Sequence, residues 1–163
     1  MMEPVRILFV CLGNICRSPM AEGIFQHLVR EAGLDPQIEA DSCGTGGWHV
    51  GELPDRRARQ VFQERSGEPL ASRARQIQLE DFDRFDYILA MDEDNRLDLQ
   101  AMLGRKAGAK ARIFKMRYFD AEAPDANVPD PYYGGIGDFQ AVYDMLQRSN
   151  QAFLHWLREE RNL

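Results

Sequence analysis

The chain has 163 residues, 44% hydrophobic and 28% charged, the balance of an ordinary globular domain with room for a sizeable core. Twenty basic against twenty-six acidic side chains give a formal charge of −6, which argues against a general nucleic-acid binder. No stretch approaches the length of a membrane span and the start lacks a signal-peptide layout, so neither a membrane protein nor an exported one is expected. Three cysteines, Cys11, Cys16 and Cys43, are too few for a disulfide scaffold, and a reducing cytoplasm is the expected compartment.

Without repeats, low-complexity tracts or linkers, residues 1–163 are expected to form a single domain. Val5-Arg6-Ile7-Leu8-Phe9-Val10 is nearly all apolar and β-branched or aromatic, as a buried parallel strand should be. A polar turn, Leu12–Ser18, follows. A helical pattern then begins with Pro19 in its first turn and places Ala21, Ile24, Phe25, Leu28 and Val29 on one face, with Gly33 as its stop. Further strands are predicted at Ile38–Ser42, Tyr87–Met91 and Ala111–Phe114, and helices at Asp55–Arg65 and Asp92–Leu103. The Arg56, Arg57 and Arg59 run is expected on a solvated helix face. From about Asp138, Phe139, Val142, Tyr143, Leu146, Phe153 and Leu157 recur at helical spacing. Such alternation predicts an α/β fold around a parallel sheet, with ligands at the carboxyl ends of the strands. Cys11 sits at such an end.

Cys11-Leu12-Gly13-Asn14-Ile15-Cys16-Arg17-Ser18 has the chemistry of an oxyanion loop. A short loop entering a helix turns successive backbone N–H groups inward as a nest for an anion. Gly13 and Asn14 are the residues best suited to the left-handed backbone such a nest needs. Arg17 offers a planar fork that matches two phosphate oxygens. A helix N-terminus and a nearby cation favour a thiolate over a thiol, so Cys11 is the candidate nucleophile without a histidine base. Ser18 is placed to hydrogen-bond the sulfur when it attacks and when it leaves. The loop lacks the Gly-Lys-Ser/Thr ending of nucleotide hydrolases.

Val10 through Pro19, together with Ser42-Cys43-Gly44-Thr45, Trp48-His49, Ala90-Met91-Asp92 and Asp130-Pro131-Tyr132-Tyr133-Gly134, resembles the low-molecular-weight protein tyrosine phosphatases. The resemblance implies a four-stranded parallel sheet with helices on both faces and the phosphate loop between the first strand and first helix. It also implies hydrolysis of phosphotyrosine through a cysteinyl-phosphate on Cys11, with Arg17 as phosphate clamp. Asp130, held between Pro129 and Pro131, matches the family's general acid; alone, an Asp between prolines also suits a plain turn. Protonating a tyrosyl oxygen, whose pKa is about 10, is the task such an acid would perform.

By the same resemblance, Leu12, Trp48, Tyr132 and Tyr133 wall a deep slot that favours phosphotyrosine over shorter phosphoamino acids. The loop residues Gly13, Asn14, Ile15 and Cys16 line its floor. Asn14, Ser18 and Ser42 match a network that supports the loop. Asp92 matches a further support, though a helix start explains it equally. Ser72 stands where many relatives have His, so a shorter hydroxyl or a water is expected to fill that gap. Cys16 is close enough to form a reversible disulfide with an oxidised Cys11, and Cys43 reads as packing.

No cofactor is expected, and no metal, because His27, His49 and His155 are not at ligand spacing with cysteines or carboxylates. The expected partners are tyrosine-phosphorylated proteins, with phosphate or vanadate-like oxyanions competing for the loop of a monomer. Two rival enzymes share the family's loop. Thioredoxin-coupled arsenate reductases need downstream cysteines, and none follows Cys43. Protein arginine phosphatases typically carry Thr where Ile15 stands and a less aromatic acid loop. A non-catalytic phosphotyrosine-binding module would normally have lost Cys11 or Asp130.

Overall fold

The structure, a computed structural model, describes residues 3–163. The first apolar run forms β1 (Val5–Cys11), whose side chains are buried apart from a half-buried Arg6. Alternation explains why a continuous apolar run is needed: Ile7, Phe9 and Cys11 enter one core, while Leu8 and Val10 enter a second core on the opposite face. Strands β2 (Ile38–Gly44), β3 (Tyr87–Ala90) and β4 (Arg112–Lys115) complete a four-stranded, all-parallel sheet in the order β2-β1-β3-β4.

Helices cover both faces. The larger core gathers α1 (Arg17–Glu31), α2 (Arg56–Ser66) and α5 (Ile136–Arg161) around Phe9, Phe25, Phe62 and Phe153. The smaller core lies under α3 (Asp81–Arg84) and α4 (Glu93–Leu103) and is built on Leu8, Val10, Phe82, Ile88 and Leu99. Phe9, Phe25 and Phe153 are each essentially inaccessible and stack edge-on or tilted at 5.5 Å between centroids. Truncating any one of them would cost about 3–5 kcal/mol.

The predicted fold class holds, with shifts of one or two residues at element ends. Strand β2 runs on to Gly44, in register with Cys11, and the chain just beyond it flanks the start of the loop after β1, with Thr45 N donating to Cys11 O and Gly46 N to Leu12 O, each at 2.9 Å. Helix α5 starts at Ile136 rather than Asp138, because the Asp138 carboxylate accepts from the Gly135 backbone N–H at 2.8 Å and closes the first turn earlier. The four-residue α3 and a 3₁₀ turn at Met116–Phe119 were not expected; both are too short to carry a periodic signal. No described helix is long and apolar enough to cross a membrane.

The chain passes from β1 to β2 on one side and then to β3 on the other. That reversal opens a crevice at the carboxyl end of β1. The loop Leu12–Cys16 and the N-terminus of α1 occupy it.

Candidate active site

Cys11 ends β1 with its side chain almost wholly buried. Its Sγ lies 3.3 Å from the Asn14 backbone N–H, which donates to it, and 3.0 Å from Ser18 Oγ. Asn14 alone of the loop residues takes a left-handed backbone, at φ 57°. This corrects the expectation that Gly13 shares that conformation. At Gly13 space is tight instead, since a Cβ there would sit 3.1 Å from the His49 ring.

Asn14 is the hub of the support. Its amide nitrogen donates to Ser18 Oγ at 2.8 Å and to Ser42 Oγ at 3.0 Å, while its carbonyl oxygen accepts from the Arg75 backbone N–H at 3.0 Å. With its lone pair engaged by Asn14, the Ser18 hydroxyl keeps its proton for the Cys11 sulfur or for Cys43 O, 3.4 Å away. Ser42 in turn donates to Glu22 Oε1 at 2.5 Å, and Gln26 donates to the other Glu22 oxygen at 3.1 Å. Asn14 therefore faces the scaffold and does not line the cleft, contrary to its expected place among the substrate contacts.

Glu22 was not anticipated. It is buried in α1, and burial pushes its carboxyl up to about 7 against the pull of the Ser42 and Gln26 hydrogen bonds. Ser72 lies nearby, on a cavity of about 370 Å³ shared with Glu22 and Gln26. Among the described residues its hydroxyl makes no side-chain hydrogen bond to the network, so it does not fill the expected role. The Arg75 backbone supplies the donor that Asn14 needs.

Arg17 begins α1 with its side chain only 3% exposed. Its Nη1 donates to Asp92 Oδ2 at 2.6 Å and to Val128 O at 3.0 Å, and its Nη2 lies 3.7 Å from Asp130 Oδ2. Burial works against its charge, but Cys11, Asp92 and Asp130 outweigh that and hold the guanidinium charged. Both readings of Asp92 hold at once: one oxygen grips Arg17 and the other caps α4 by accepting from Asn95 N at 2.8 Å.

Asp130 lies across the cleft. Its Oδ1 accepts from the Tyr132 backbone N–H at 3.1 Å, leaving Oδ2 on the side of Arg17. Cys11, Leu12, Gly13, Ile15, Cys16, Arg17, Trp48, His49, Asp130, Tyr132 and Tyr133 enclose a cavity of about 310 Å³. Leu12, Trp48, Tyr132 and Tyr133 form its exposed rim, with Tyr133 93% exposed and set edge-on to Tyr132 at 4.9 Å. His49 also lines it, its Nδ1 paired with Glu52 at 2.7 Å; as half of a Trp-His pair it was legible only as a motif letter. Cys16 is buried, and burial together with Asp55 pushes its thiol well up.

The arginine run also departs from expectation. Arg57 is not merely a solvated side chain, since its guanidinium spans from Asp55 to the carbonyls of Tyr132 and Gly134.

Fold and cleft together define a site built to hold an oxyanion over a cysteine. Comparison with known proteins agrees. The sequence model of the low molecular weight phosphotyrosine protein phosphatases matches residues 6–163. The low molecular weight phosphotyrosine protein phosphatase of Schizosaccharomyces pombe is 41% identical over 94% of this chain and 97% of its own. A crystal structure of a protein tyrosine phosphatase from Entamoeba histolytica, with Hepes in the active site, superposes with a TM-score of 0.88 at 40% identity, covering 96% of this chain and 99% of that one. The Drosophila arginine phosphatase superposes with a TM-score of 0.86 at 35% identity, covering 93% and 97%. The chain belongs to the low molecular weight phosphotyrosine protein phosphatase family and is an enzyme of that class.

Proposed function

We propose that this protein hydrolyses phosphotyrosine in proteins through a phosphocysteine intermediate on Cys11. One observation carries the reading: Cys11, Arg17 and Asp130 line a single cleft whose rim is aromatic. The phosphoryl group would rest among the loop N–H groups and the Arg17 fork. Cys11 attacks phosphorus as the thiolate while Asp130, in its acid form, gives its proton to the departing tyrosyl oxygen. Water then attacks phosphorus, Asp130 takes the water's proton, and the S–P bond breaks to return the thiolate. The Ser18 hydroxyl, 3.0 Å from Sγ, steadies that leaving sulfur.

No step calls for a metal or cofactor. Three free thiols fit a reducing cytoplasm, and we take the working unit to be a monomer. Oxidation of Cys11 by peroxide to the sulfenic acid would let the Cys16 thiol displace water and close a disulfide. Because the Cys16 thiol is held protonated, closure should quicken as pH rises.

Phosphoarginine is the second reading, since an arginine phosphatase shares the fold. Ile15 on the cleft and the Tyr132–Tyr133 pair at its mouth support phosphotyrosine. Matched peptides carrying phosphotyrosine or phosphoarginine separate the two: kcat/KM should favour phosphotyrosine by tenfold or more, about 1.4 kcal/mol. A reversed preference would establish the second reading.

A further inference from the structure

Asp130 stands on an irregular stretch between the 3₁₀ turn and α5, and its carboxylate is exposed to solvent. Upstream, this stretch is pinned: Val128 N donates to Met91 O at 2.8 Å, Val128 O accepts from Arg17, and Asn127 O accepts from Arg117 at 3.1 Å. Downstream, the situation differs. Gly135 is tied to α5, donating to Asp138 Oδ2 and accepting from the Asp138 and Phe139 backbone N–H groups. Across Tyr132, Tyr133 and Gly134, however, among the described residues, the hydrogen bonds from outside the segment come from Arg57 alone: Nη2 to Tyr132 O at 2.9 Å and Nη1 to Gly134 O at 2.8 Å. The other anchor is the packing of Pro131, which is buried.

The root of Arg57 is equally well fixed. The Asp55 carboxylate caps α2 by accepting from Arg57 N at 2.8 Å and holds Arg57 Nε and Nη2, each at 3.0 Å. The Asp55 backbone N–H donates to Ile15 O, in the loop that follows Cys11, at 2.7 Å. The guanidinium also lies 4.4 Å above the ring of Phe139, which is fully buried at the start of α5. Arg57 thus closes a strut from the phosphate loop, through Asp55, to the segment bearing the acid.

The last link is direct. The backbone of Tyr132 is gripped at its carbonyl by Arg57, and its N–H donates to Asp130 Oδ1. We propose that Arg57 is a positioning residue for Asp130, setting the distance between acid and phosphate loop through these carbonyl contacts. This rests on the reading of Asp130 as general acid. Four directed N–H groups on a planar fork, two toward Asp55 and two toward the carbonyls, do this work, and an ammonium cannot reproduce their geometry.

The test is the leaving-group dependence of kcat/KM across aryl phosphates, from acidic nitrophenols to tyrosine itself. An effective acid makes the dependence shallow, because basic phenols leave protonated. Asp130→Asn should steepen it strongly. Arg57→Ala should steepen it partway, widening the gap between the most and least acidic phenols roughly tenfold, and Arg57→Lys should fall between Arg57→Ala and wild type. Vanadate inhibition should be unchanged in the Arg57 variants, because the phosphate loop keeps its own bonds. If Arg57→Ala does not fold, Arg57→Lys carries the same comparison. Steepening by Asp130→Asn with an unchanged slope in both Arg57 variants would overturn the positioning role alone. An unchanged slope in Asp130→Asn would overturn the acid assignment, and the role of Arg57 with it.

Discussion

The two halves of the cleft are built in opposite ways. The support of the cysteine loop is buried, and Cys11, Asn14, Ser18, Ser42 and Glu22 form one continuous hydrogen-bonded chain inside the protein. The Asp130 side is exposed, with Asp130, Tyr132 and Tyr133 all open to solvent and the carbonyls of Tyr132 and Gly134 held by a single arginine. The difference suits the two tasks that the proposed mechanism sets. Oxyanion binding needs dipoles fixed before the substrate arrives, since preorganised groups cost no reorganisation during reaction. An acid and an aromatic wall must instead admit a bulky protein side chain and release it. Buried hydrogen bonding is therefore concentrated around the cysteine loop, and an exposed, sparsely tethered segment stands opposite it.

Substitutions that break the buried half should cost both activity and stability. The largest effect is expected from Arg17→Ala. It would remove the phosphate fork and leave Asp92 and Val128 O without their donor, lowering kcat/KM by about 10³-fold or more and stability by about 3–5 kcal/mol. Activity assays together with urea denaturation would check this; a variant of normal stability would contradict the buried-pair account.

Asn14→Ala is next. It removes a donor from two buried hydroxyls, leaves the Arg75 backbone N–H without its acceptor and forces Ala into the left-handed backbone seen at φ 57°, for a loss of about 2–3 kcal/mol. The Cys11 reaction should slow by roughly tenfold or more. Asn14→Gly, which relieves only the backbone, should recover stability in part and activity little.

Glu22 sharpens the comparison through pH. Its carboxyl is raised to about 7 in the fold, above the ordinary 4.5, so the folded protein binds this proton more tightly than the unfolded chain does. The resulting stability is present in full below about pH 4.5 and is lost as pH rises through 7. Glu22→Gln should therefore flatten the decline between pH 5 and 8 by about 2 kcal/mol, read from denaturation midpoints across that range. An undiminished slope would show that other groups set the pH dependence.

The smallest effect on the fold is expected at the rim. Tyr133 is 93% exposed, so Tyr133→Ala should change stability by no more than about 0.5 kcal/mol. Its KM for phosphotyrosine peptides should rise a few-fold, about 1 kcal/mol of lost stacking, with kcat for a small aryl phosphate little altered. A large stability loss would mean that the rim is part of the core.

The sheet and the phosphate loop were legible because their signals are local. The apolar run Val5–Val10 declares a strand buried on both faces, and Cys11, Asn14, Arg17 and Ser18 lie within eight residues of one another. Glu22 and Arg57 were hidden for the converse reason. Arg57 finds its acid-loop partners 75 and 77 positions away, and an arginine run on a helix looks alike whether it meets water or a carbonyl. Glu22 sits in α1 beside Gln26 like any helix-surface residue, and only the arrival of Ser42, twenty positions on, makes it buried and bonded. The Gly13 and Asn14 pair shows the same limit on a smaller scale. Both residue types tolerate a left-handed backbone, yet only Asn14 adopts it, while Gly13 lies close to the His49 ring.

The most direct test of the central claim is phosphate release from a phosphotyrosine peptide, with a chelator present, by wild type and Cys11→Ser side by side. Sustained turnover by wild type and none by Cys11→Ser, with both proteins folded, is the predicted result. Turnover by Cys11→Ser at a rate near wild type, or none by wild type, would contradict the cysteine mechanism on phosphotyrosine.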